Sequence, residues 1–404
     1  MPAPTVISAL RAFLPDYLDT NPVLSPPQRR ALWAMQACRT PVLGGHVHVC
    51  ADCGKTHFAY HSCNHKACPQ CGRNATAQWV AREQAKLIGA PYFMVTLIQS
   101  PPPAPSPLRG SLSAVCLAAA AAARLTVPEE LRGLFFGQDA KQAFDLLFAA
   151  ASAALRNKLA SPKWLGAQAS GFTMVLHTWS QKMLFHPHLH AIVPGGGLDD
   201  LGSYVEVKNA NFLLPVPVLS RAFRAAFKER MATQGWQCDP AVWRKEWGVH
   251  IQPFGCGDNA VKYLGTYVAR SVIADSRIQS VTDTHVTIRH RDREQSNAPR
   301  RLNLTGVEFV RRYLRHVLPR GLRAVRYYGF CHPSAKKTRL KVTALSGKPI
   351  DLGAVPAPQP NGIRCPQCER PMSRVRSLLA PWRLPQLQAQ DSARAPPPRL
   401  IVTP

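Results

Sequence analysis

The segment Phe185–Gly197, FHPHLHAIVPGGG, constrains the fold more than any other stretch because it combines closely spaced histidines with an apolar strand pattern. Alternate side chains of a strand lie on one face, so His188 and His190 share a face while Leu189 points to the opposite layer. Proline suits the first position of a strand, which places His186 outside this pair. The segment therefore predicts a strand that presents two neighbouring imidazoles and ends in a glycine turn.

A third imidazole is expected from the preceding strand candidate, GFTMVLHTW. If the hairpin turns near residues 182–183, His177 lies across from His188 on the same face. A slip of one residue would turn His177 away, and Gln181 would then replace it. The three histidines predict a metal site, although a lone histidine pair held by backbone hydrogen bonds remains an alternative at this point.

Two tyrosines at helical spacing are the second candidate for chemistry. Tyr263 and Tyr267 are four residues apart in a segment that begins as a helix, so they lie on one helical face. Arg270 follows one turn later and is a candidate DNA contact. Core packing would explain an isolated tyrosine pair, but a metal site beside the pair indicates phosphoryl transfer with tyrosine as the nucleophile.

The charge of the chain indicates a polyanionic partner. The chain has 50 Lys and Arg residues and 23 Asp and Glu residues, which gives a net charge of +27. Nucleic acid is the leading partner for such a surface, and the basic helix candidate GVEFVRRYLRHVL contributes Arg311, Arg312 and Arg315 as phosphate contacts. Neither a signal peptide nor an apolar run long enough to span a bilayer is recognisable, so we expect a cytoplasmic protein without membrane contact.

Four cysteines near the N-terminus predict a structural zinc site. Cys50 and Cys53 form a C-x2-C pair, and Cys68 and Cys71 form a second pair after 14 intervening residues. Each pair can present two thiolates, so the four are expected to enclose one tetrahedral zinc ion. Cys63 and three nearby histidines are spare candidates.

A further C-x2-C pair, Cys365 and Cys368, lies in the Pro-rich C-terminal region. It has no obvious second half nearby. Cys331 and His332 could complete it, and unpaired structural thiols explain it equally well. Periodicity is lost from about residue 341, which predicts a loosely ordered tail.

In this order, the motifs resemble the HUH rolling-circle transposases of the insertion-sequence-ninety-one type. The resemblance rests on CADCG, SCNHKACPQC, LHTWSQKMLFHPHLHAIVPGGG, YLGTYVARSVIADSRI and RYYGF, and it covers about residues 30 to 340. It implies a five-stranded antiparallel sheet flanked by helices, and His188 and His190 as the metal pair. It also implies that Tyr263 and Tyr267 form 5′-phosphotyrosine on single-stranded DNA and leave a 3′-hydroxyl. Magnesium or manganese is the implied ion, whereas imidazole ligands alone would suggest zinc.

The expected fold class is α+β, an HUH endonuclease core with additions at both ends. Residues 1–90 are expected to form a helical, zinc-binding, DNA-binding module, residues 91–340 the nuclease and transposase domain, and residues 341–404 a Pro-rich, largely disordered tail. The expected partners are single-stranded DNA and the ends of a mobile element, in bacterial cytoplasm and at the nucleoid through DNA. The oligomeric state stays open.

Two other functions compete with this one. A non-catalytic, zinc-containing DNA-binding regulator, or a decayed transposase, would bind DNA without forming a covalent adduct. A histidine-triad nucleotide hydrolase would fit HPHLHAI, but that class needs neither a tyrosine nor a large positive charge.

Overall fold

The computed structural model describes residues 3–71, 73–98, 128–268, 272–292, 298–348 and 362–380. Its α-helices are α1 Val6–Thr20, α2 Pro26–Ala37, α3 Arg73–Gln84, α4 Ala140–Ala160, α5 Val216–Thr233, α6 Asp258–Val268, α7 Gly306–Leu314 and α8 Lys336–Leu345. Its strands are β1 Gly45–Cys50, β2 Thr56–Tyr60, β3 Tyr92–Ile98, β4 Gly171–Trp179, β5 Phe185–Pro194, β6 Gly196–Leu198, β7 Tyr204–Glu206, β8 Gly248–Pro253, β9 Ile278–Val281, β10 His285–Asp292, β11 Ala298–Thr305, β12 Val325–Gly329 and β13 Met372–Leu378.

A five-stranded antiparallel sheet with the order β12-β4-β5-β3-β8 lies at the centre of the fold. Because side chains alternate along each strand, the sheet has two distinct apolar faces. Phe93 and Phe172 point to the face covered by α4 and α5. Met94 and Ile192 point to the opposite face, which α3 and α6 cover. The predicted α+β class with a five-stranded antiparallel sheet flanked by helices is therefore confirmed.

The first two helices pack against residues far along the chain. Helices α1 and α2 share a buried core with β9, β10, β11 and α7. At the first residue of α7, a Cβ on Gly306 would stand within 2.0 Å of ring atoms of Phe13, so only glycine allows the two helices to approach this closely. Residues on both sides of the domain boundary expected at residue 90 therefore contribute to one hydrophobic core.

The C-terminal region contains an ordered segment. Strand β13 pairs antiparallel with β1, from Gly45 opposite Leu378 to Cys50 opposite Met372, and forms a three-stranded sheet with β2. The expectation of a loosely ordered tail is wrong for residues 362–380. The reason is that β1 has a second edge on which another strand can form hydrogen bonds. Because most side chains of β13 are exposed, the sequence of β13 does not show the apolar alternation that would predict a strand. Most of the remaining tail lies outside the described residues.

Among the helices of the described residues, none combines the length and the apolar character that a membrane span requires.

Candidate active site

Three histidines meet on the α6 side of the central sheet. His177 on β4 lies directly opposite His188 on β5, as the predicted register requires, and His190 follows on the same face. Their ligand nitrogens all lie within 4.8 Å of one another. None of the three side chains is more than 2% exposed. The structure therefore brings together the three histidines that the sequence singled out, including the one on the neighbouring strand.

Hydrogen bonds fix the orientation of two of these rings. Nδ1 of His188 donates to the carbonyl oxygen of His186 at 2.6 Å, so Nε2 is the ring nitrogen of His188 that would ligate a metal. Nδ1 of His190 lies 3.3 Å from Oγ1 of Thr96. The distance from Nδ1 of His177 to Nε2 of His188 is 2.8 Å. Buried imidazoles held in this way form a donor set that fits a divalent ion.

The start of β5 differs from the prediction. The strand begins at Phe185 rather than at Pro187, so Pro187 lies inside it. The pairing with β4 shifts between His177 and Trp179, which lies opposite Phe185. Proline is tolerated there because a bulge does not use its missing N–H group. His186 stands outside the three-histidine group, as expected.

Helix α6 brings the first tyrosine to the histidines. The ring centroid of Tyr263 lies 6.3 Å from that of His190 and 6.0 Å from that of Phe254. Tyr267 lies one turn further along α6, and its side chain is outside the described part of the structure, as is the whole of Arg270. The expected proximity of the tyrosine motif to the histidines is therefore seen at Tyr263.

A glycine between the two tyrosines sets the position of α6. A Cβ on Gly265 would lie 2.2 Å from Cγ2 of Val80 on α3. Glycine in a helix interior costs about 1 kcal/mol relative to alanine. Here it allows α3 and α6 to approach closely, which holds α6 against the sheet face that carries the histidines. No local sequence pattern marks Gly265 as part of the site.

His316, which no sequence motif marks, holds the β4–β5 turn from the end of α7. Its Nε2 donates to the carbonyl oxygen of Met183 at 3.1 Å, and its Nδ1 lies 3.2 Å from Oγ1 of Thr178. Burial lowers the pKa of His316 from its ordinary value of 6.5 to about 4. A neutral imidazole therefore holds the turn that sets the register of the three histidines.

We expect the free energy of unfolding to fall as the pH drops from about 6.5 to about 4. Above this range His316 is neutral in both states; within it, the unfolded chain takes up a proton that the folded chain refuses. The loss reaches about 3 kcal/mol at the acid end. His316→Gln should flatten the pH dependence of the free energy of unfolding in chemical denaturation. Equal pH dependence in His316→Gln and the wild type would contradict the assignment.

The three arginines expected to contact phosphate lie on or beside α7. Arg311 and Arg312 both form ion pairs with Glu308, and Arg311 is the main cause that lowers the pKa of this carboxyl to about 2. The guanidinium of Arg315 lies over the ring of Phe136, 5.7 Å from its centroid. Arg311 and Arg312 are therefore partly committed to intramolecular contacts, and their contact with DNA stays a prediction.

A basic groove of about 400 Å³ borders the histidine site and was not foreseen from the sequence. It runs between α2, the loop before α3, the end of β4 and the loop before β12. The ring of Trp179, which lines the groove, has its centroid 3.9 Å from that of His177. Exposed cations on the rim are Arg30, Lys66, Arg320 and Arg323.

Eight cysteines form two separate clusters of four. Six of them belong to the three C-x2-C motifs, and the other two are Cys38 and Cys63. The first cluster is Cys38, Cys63, Cys68 and Cys71. The second cluster is Cys50, Cys53, Cys365 and Cys368. The expected grouping of Cys50 and Cys53 with Cys68 and Cys71 is corrected accordingly.

The β1–β2 hairpin explains this division. Cys50 and Cys53 lie at its turn, whereas Cys38 and Cys63 flank its open end. A strand rises about 3.3 Å per residue, so the length of the hairpin separates the two positions by more than one metal ion can bridge. In the first cluster, Sγ of Cys71 lies 3.6 Å from Sγ of Cys38 and 3.7 Å from Sγ of Cys63.

Replacing Cys68 by serine is expected to remove one zinc ion per chain and to lower the melting temperature. Cys68 is buried in the core that α1 and α2 share with α7, so loss of the ion should loosen this whole core. Zinc analysis and thermal unfolding of the purified chain measure both effects, with Cys256→Ser as a control at an exposed cysteine outside the clusters. Unchanged zinc content in Cys68→Ser would refute the assignment.

The fold and site together define an α+β protein with a buried histidine site, a nearby tyrosine and two four-cysteine clusters. Residues 171–339, which include the histidines and tyrosines, match the family model described as "Putative transposase". Residues 9–98, which include the first cysteine cluster, match the IS91-type model described as "Transposase zinc-binding domain". The chain belongs to this IS91-type transposase family, which makes it a DNA-processing protein with structural zinc.

Two relatives cover most of the chain. "Putative transposase y4qJ" of Sinorhizobium fredii is 31% identical over 385 residues, which cover 90% of this chain and 88% of that protein. "Transposase for insertion sequence element IS801" of Pseudomonas savastanoi pv. phaseolicola is 25% identical over 314 residues, or 73% of this chain and 68% of that protein. No solved structure matches the chain significantly.

Proposed function

We propose that the protein is an HUH-type transposase that nicks single-stranded DNA at the ends of its element and transfers the strand through 5′-phosphotyrosine. The observation that carries this proposal is the position of the Tyr263 ring, 6.3 Å from that of His190 on the same side of the sheet. A structural histidine group would not require a tyrosine from another element beside it. The family membership supports DNA as the substrate.

His177, His188 and His190 would hold a magnesium or manganese ion. Such an ion, when bound, supplies Lewis-acid polarisation of the scissile phosphate and offsets charge in the transition state. The chain's own contribution is orientation. The carbonyl of His186 and the hydroxyl of Thr96 fix the two β5 rings, and the buried floor of the site limits the access of water.

Tyr263 is the nucleophile that the geometry favours. Its phenolic oxygen forms a bond to phosphorus, the bond from phosphorus to the 3′ oxygen breaks, and that oxygen leaves with a proton as a 3′-hydroxyl. The energy of the broken phosphodiester is kept in the phosphotyrosine link, so rejoining requires no nucleotide cofactor. Packing against Phe254 holds the ring of Tyr263 near the histidines.

Tyr267 would supply the second nucleophile. Residues four apart in a helix lie about one turn apart on one face, so two DNA 5′ ends can be held near one ion. This arrangement passes a strand from donor to target without a free intermediate. A single tyrosine would need a second subunit, or release and rebinding of DNA.

The basic groove is the route by which single-stranded DNA would reach the site. Its exposed rim carries Arg30, Lys66 and Arg320, which suit a phosphate backbone. The partly exposed Trp179 suits stacking of a base next to His177.

Reversing the charges of Arg30 and Arg320 should therefore weaken the binding of single-stranded DNA more than the same change at Arg224, which lies on α5 outside the groove.

A nicking assay on labelled oligonucleotides that carry each end of the element tests this proposal. With magnesium or manganese we expect one cleaved product and a covalent protein–DNA adduct on a denaturing gel, and with a chelator neither. DNA binding without an adduct would support the non-catalytic regulator instead. Hydrolysis of a nucleotide through a covalent histidine adduct would support the histidine-triad alternative.

A further inference from the structure

We propose that Cys50, Cys53, Cys365 and Cys368 bind a second structural zinc ion, which fastens the C-terminal segment to the N-terminal module. These cysteines come from positions more than 300 residues apart in the chain. Cys365 and Cys368 lie outside both segments that match the family models, residues 9–98 and 171–339. This inference concerns a structural site and does not depend on the proposed nicking activity.

The sulfur positions of this second cluster are those of a tetrahedral thiolate site. Sγ of Cys50 lies 3.5 Å from Sγ of Cys368, and Sγ of Cys53 lies 3.5 Å from Sγ of Cys365. Sγ of Cys53 and Sγ of Cys368 are 3.7 Å apart. Four sulfurs at about 2.3 Å from a zinc ion would be about 3.8 Å from one another. Disulfide sulfurs would be about 2.05 Å apart, so these are free thiols arranged as ligands.

The two C-x2-C turns have the same backbone geometry. In the first, the N–H of Gly54 donates to the carbonyl of Cys50, and the N–H of Cys50 donates to the carbonyl of Lys55, both at 3.0 Å. Gly54 has a positive φ of 69°. A left-handed residue directly after the second cysteine turns the chain back toward the first, and glycine adopts this conformation without strain.

The second turn repeats this pattern without a glycine. The N–H of Glu369 donates to the carbonyl of Cys365 at 2.9 Å, and the N–H of Cys365 donates to the carbonyl of Arg370 at 2.8 Å. Glu369 has a φ of 59°, a strained value for a residue with a Cβ. The chain therefore accepts strain at Glu369 to form a turn that matches the first one, which is expected if both bind the same ion.

Among the described residues, the segment 362–380 buries few apolar side chains. Its apolar contacts with the turn at Cys50 are a small cluster that contains Cys365, Met372 and Ile363. The side chains of β13 from Ser373 to Ser377 are exposed. Strand pairing with β1 aligns the two turns, and ordering residues 362–380 costs conformational entropy that the few buried apolar side chains offset only in part. A zinc ion supplies folding free energy of the required kind.

Elemental analysis of the full chain, purified without chelator, tests the second site. We expect two zinc ions per chain in the wild type and in the control Cys256→Ser. The double variant Cys365→Ser with Cys368→Ser should bind one. Cys368→His should still bind two, because imidazole is also a zinc ligand, and this guards against a loss caused by misfolding alone.

Limited trypsin digestion gives a second readout on the same proteins. Arg374 and Arg376 lie on β13, so cleavage there should be at least about tenfold faster in the double serine variant than in the wild type or in Cys368→His. One zinc ion per chain in the wild type, retained in the double variant, would overturn the proposal. Iron in place of zinc, or equal cleavage rates in all four proteins, would also overturn it.

Discussion

Replacing His188 and His190 by asparagine is expected to reduce DNA nicking by at least about three orders of magnitude, or about 4 kcal/mol in the barrier. The reason is that the two residues are expected to hold the ion that stabilises charge on the phosphate. DNA affinity at low salt should stay within a few fold, because binding draws on many exposed cations rather than on the buried histidines. Single-turnover cleavage and equilibrium binding measure the two quantities separately.

A matched control comes from another buried histidine. His290 on β10 is 6% exposed and lies outside the three-histidine group, so His290→Asn should nick DNA at close to the wild-type rate. Thermal unfolding of all three proteins identifies any loss of activity that is due to unfolding. Parallel losses of binding and cleavage in the double histidine variant would contradict a catalytic metal site.

Replacing both tyrosines by phenylalanine is expected to eliminate the covalent DNA adduct. The change removes the phenolic oxygen while the ring of residue 263 keeps its contact with Phe254. Each single variant, Tyr263→Phe or Tyr267→Phe, should retain nicking of an oligonucleotide but lose most transposition, because strand transfer uses both nucleophiles. Adduct formation on oligonucleotides and a transposition assay in cells separate these effects.

Tyr60→Phe, at a tyrosine of the β1–β2 hairpin, is the control for these variants and should behave as the wild type. An adduct in the double variant would show that another residue is the nucleophile. Full transposition by Tyr267→Phe would assign Tyr267 to packing and make this a one-tyrosine enzyme.

The local part of the site was predictable from the sequence. His177 and His188 lie equally far from residues 182–183 in the sequence, and the structure pairs them, although a one-residue shift separates this pair from the pair Trp179–Phe185. The spacing of Tyr263 and Tyr267 follows from the helical period. Because the residues in each pair are close in sequence, the local geometry of a hairpin or a helix leaves few other arrangements for them.

Relations between distant segments were not predictable in this way. The fifth strand, β12, carries no strong strand pattern and is defined by its pairing with β4. The cysteine clusters were misassigned because their membership depends on the length of a hairpin and on a segment more than 300 residues away. His316 and Gly265 matter through contacts with other elements, and neither residue type has a distinctive local pattern.

The most direct test of the central claim is peptide mapping of the covalent adduct formed with single-stranded element-end DNA and magnesium or manganese. We predict a 5′-phosphotyrosine on the peptide that contains Tyr263 and Tyr267, and we expect this adduct to be lost in the double histidine variant. A phosphodiester link at any other residue, or an adduct that forms equally well without the histidines, would contradict it.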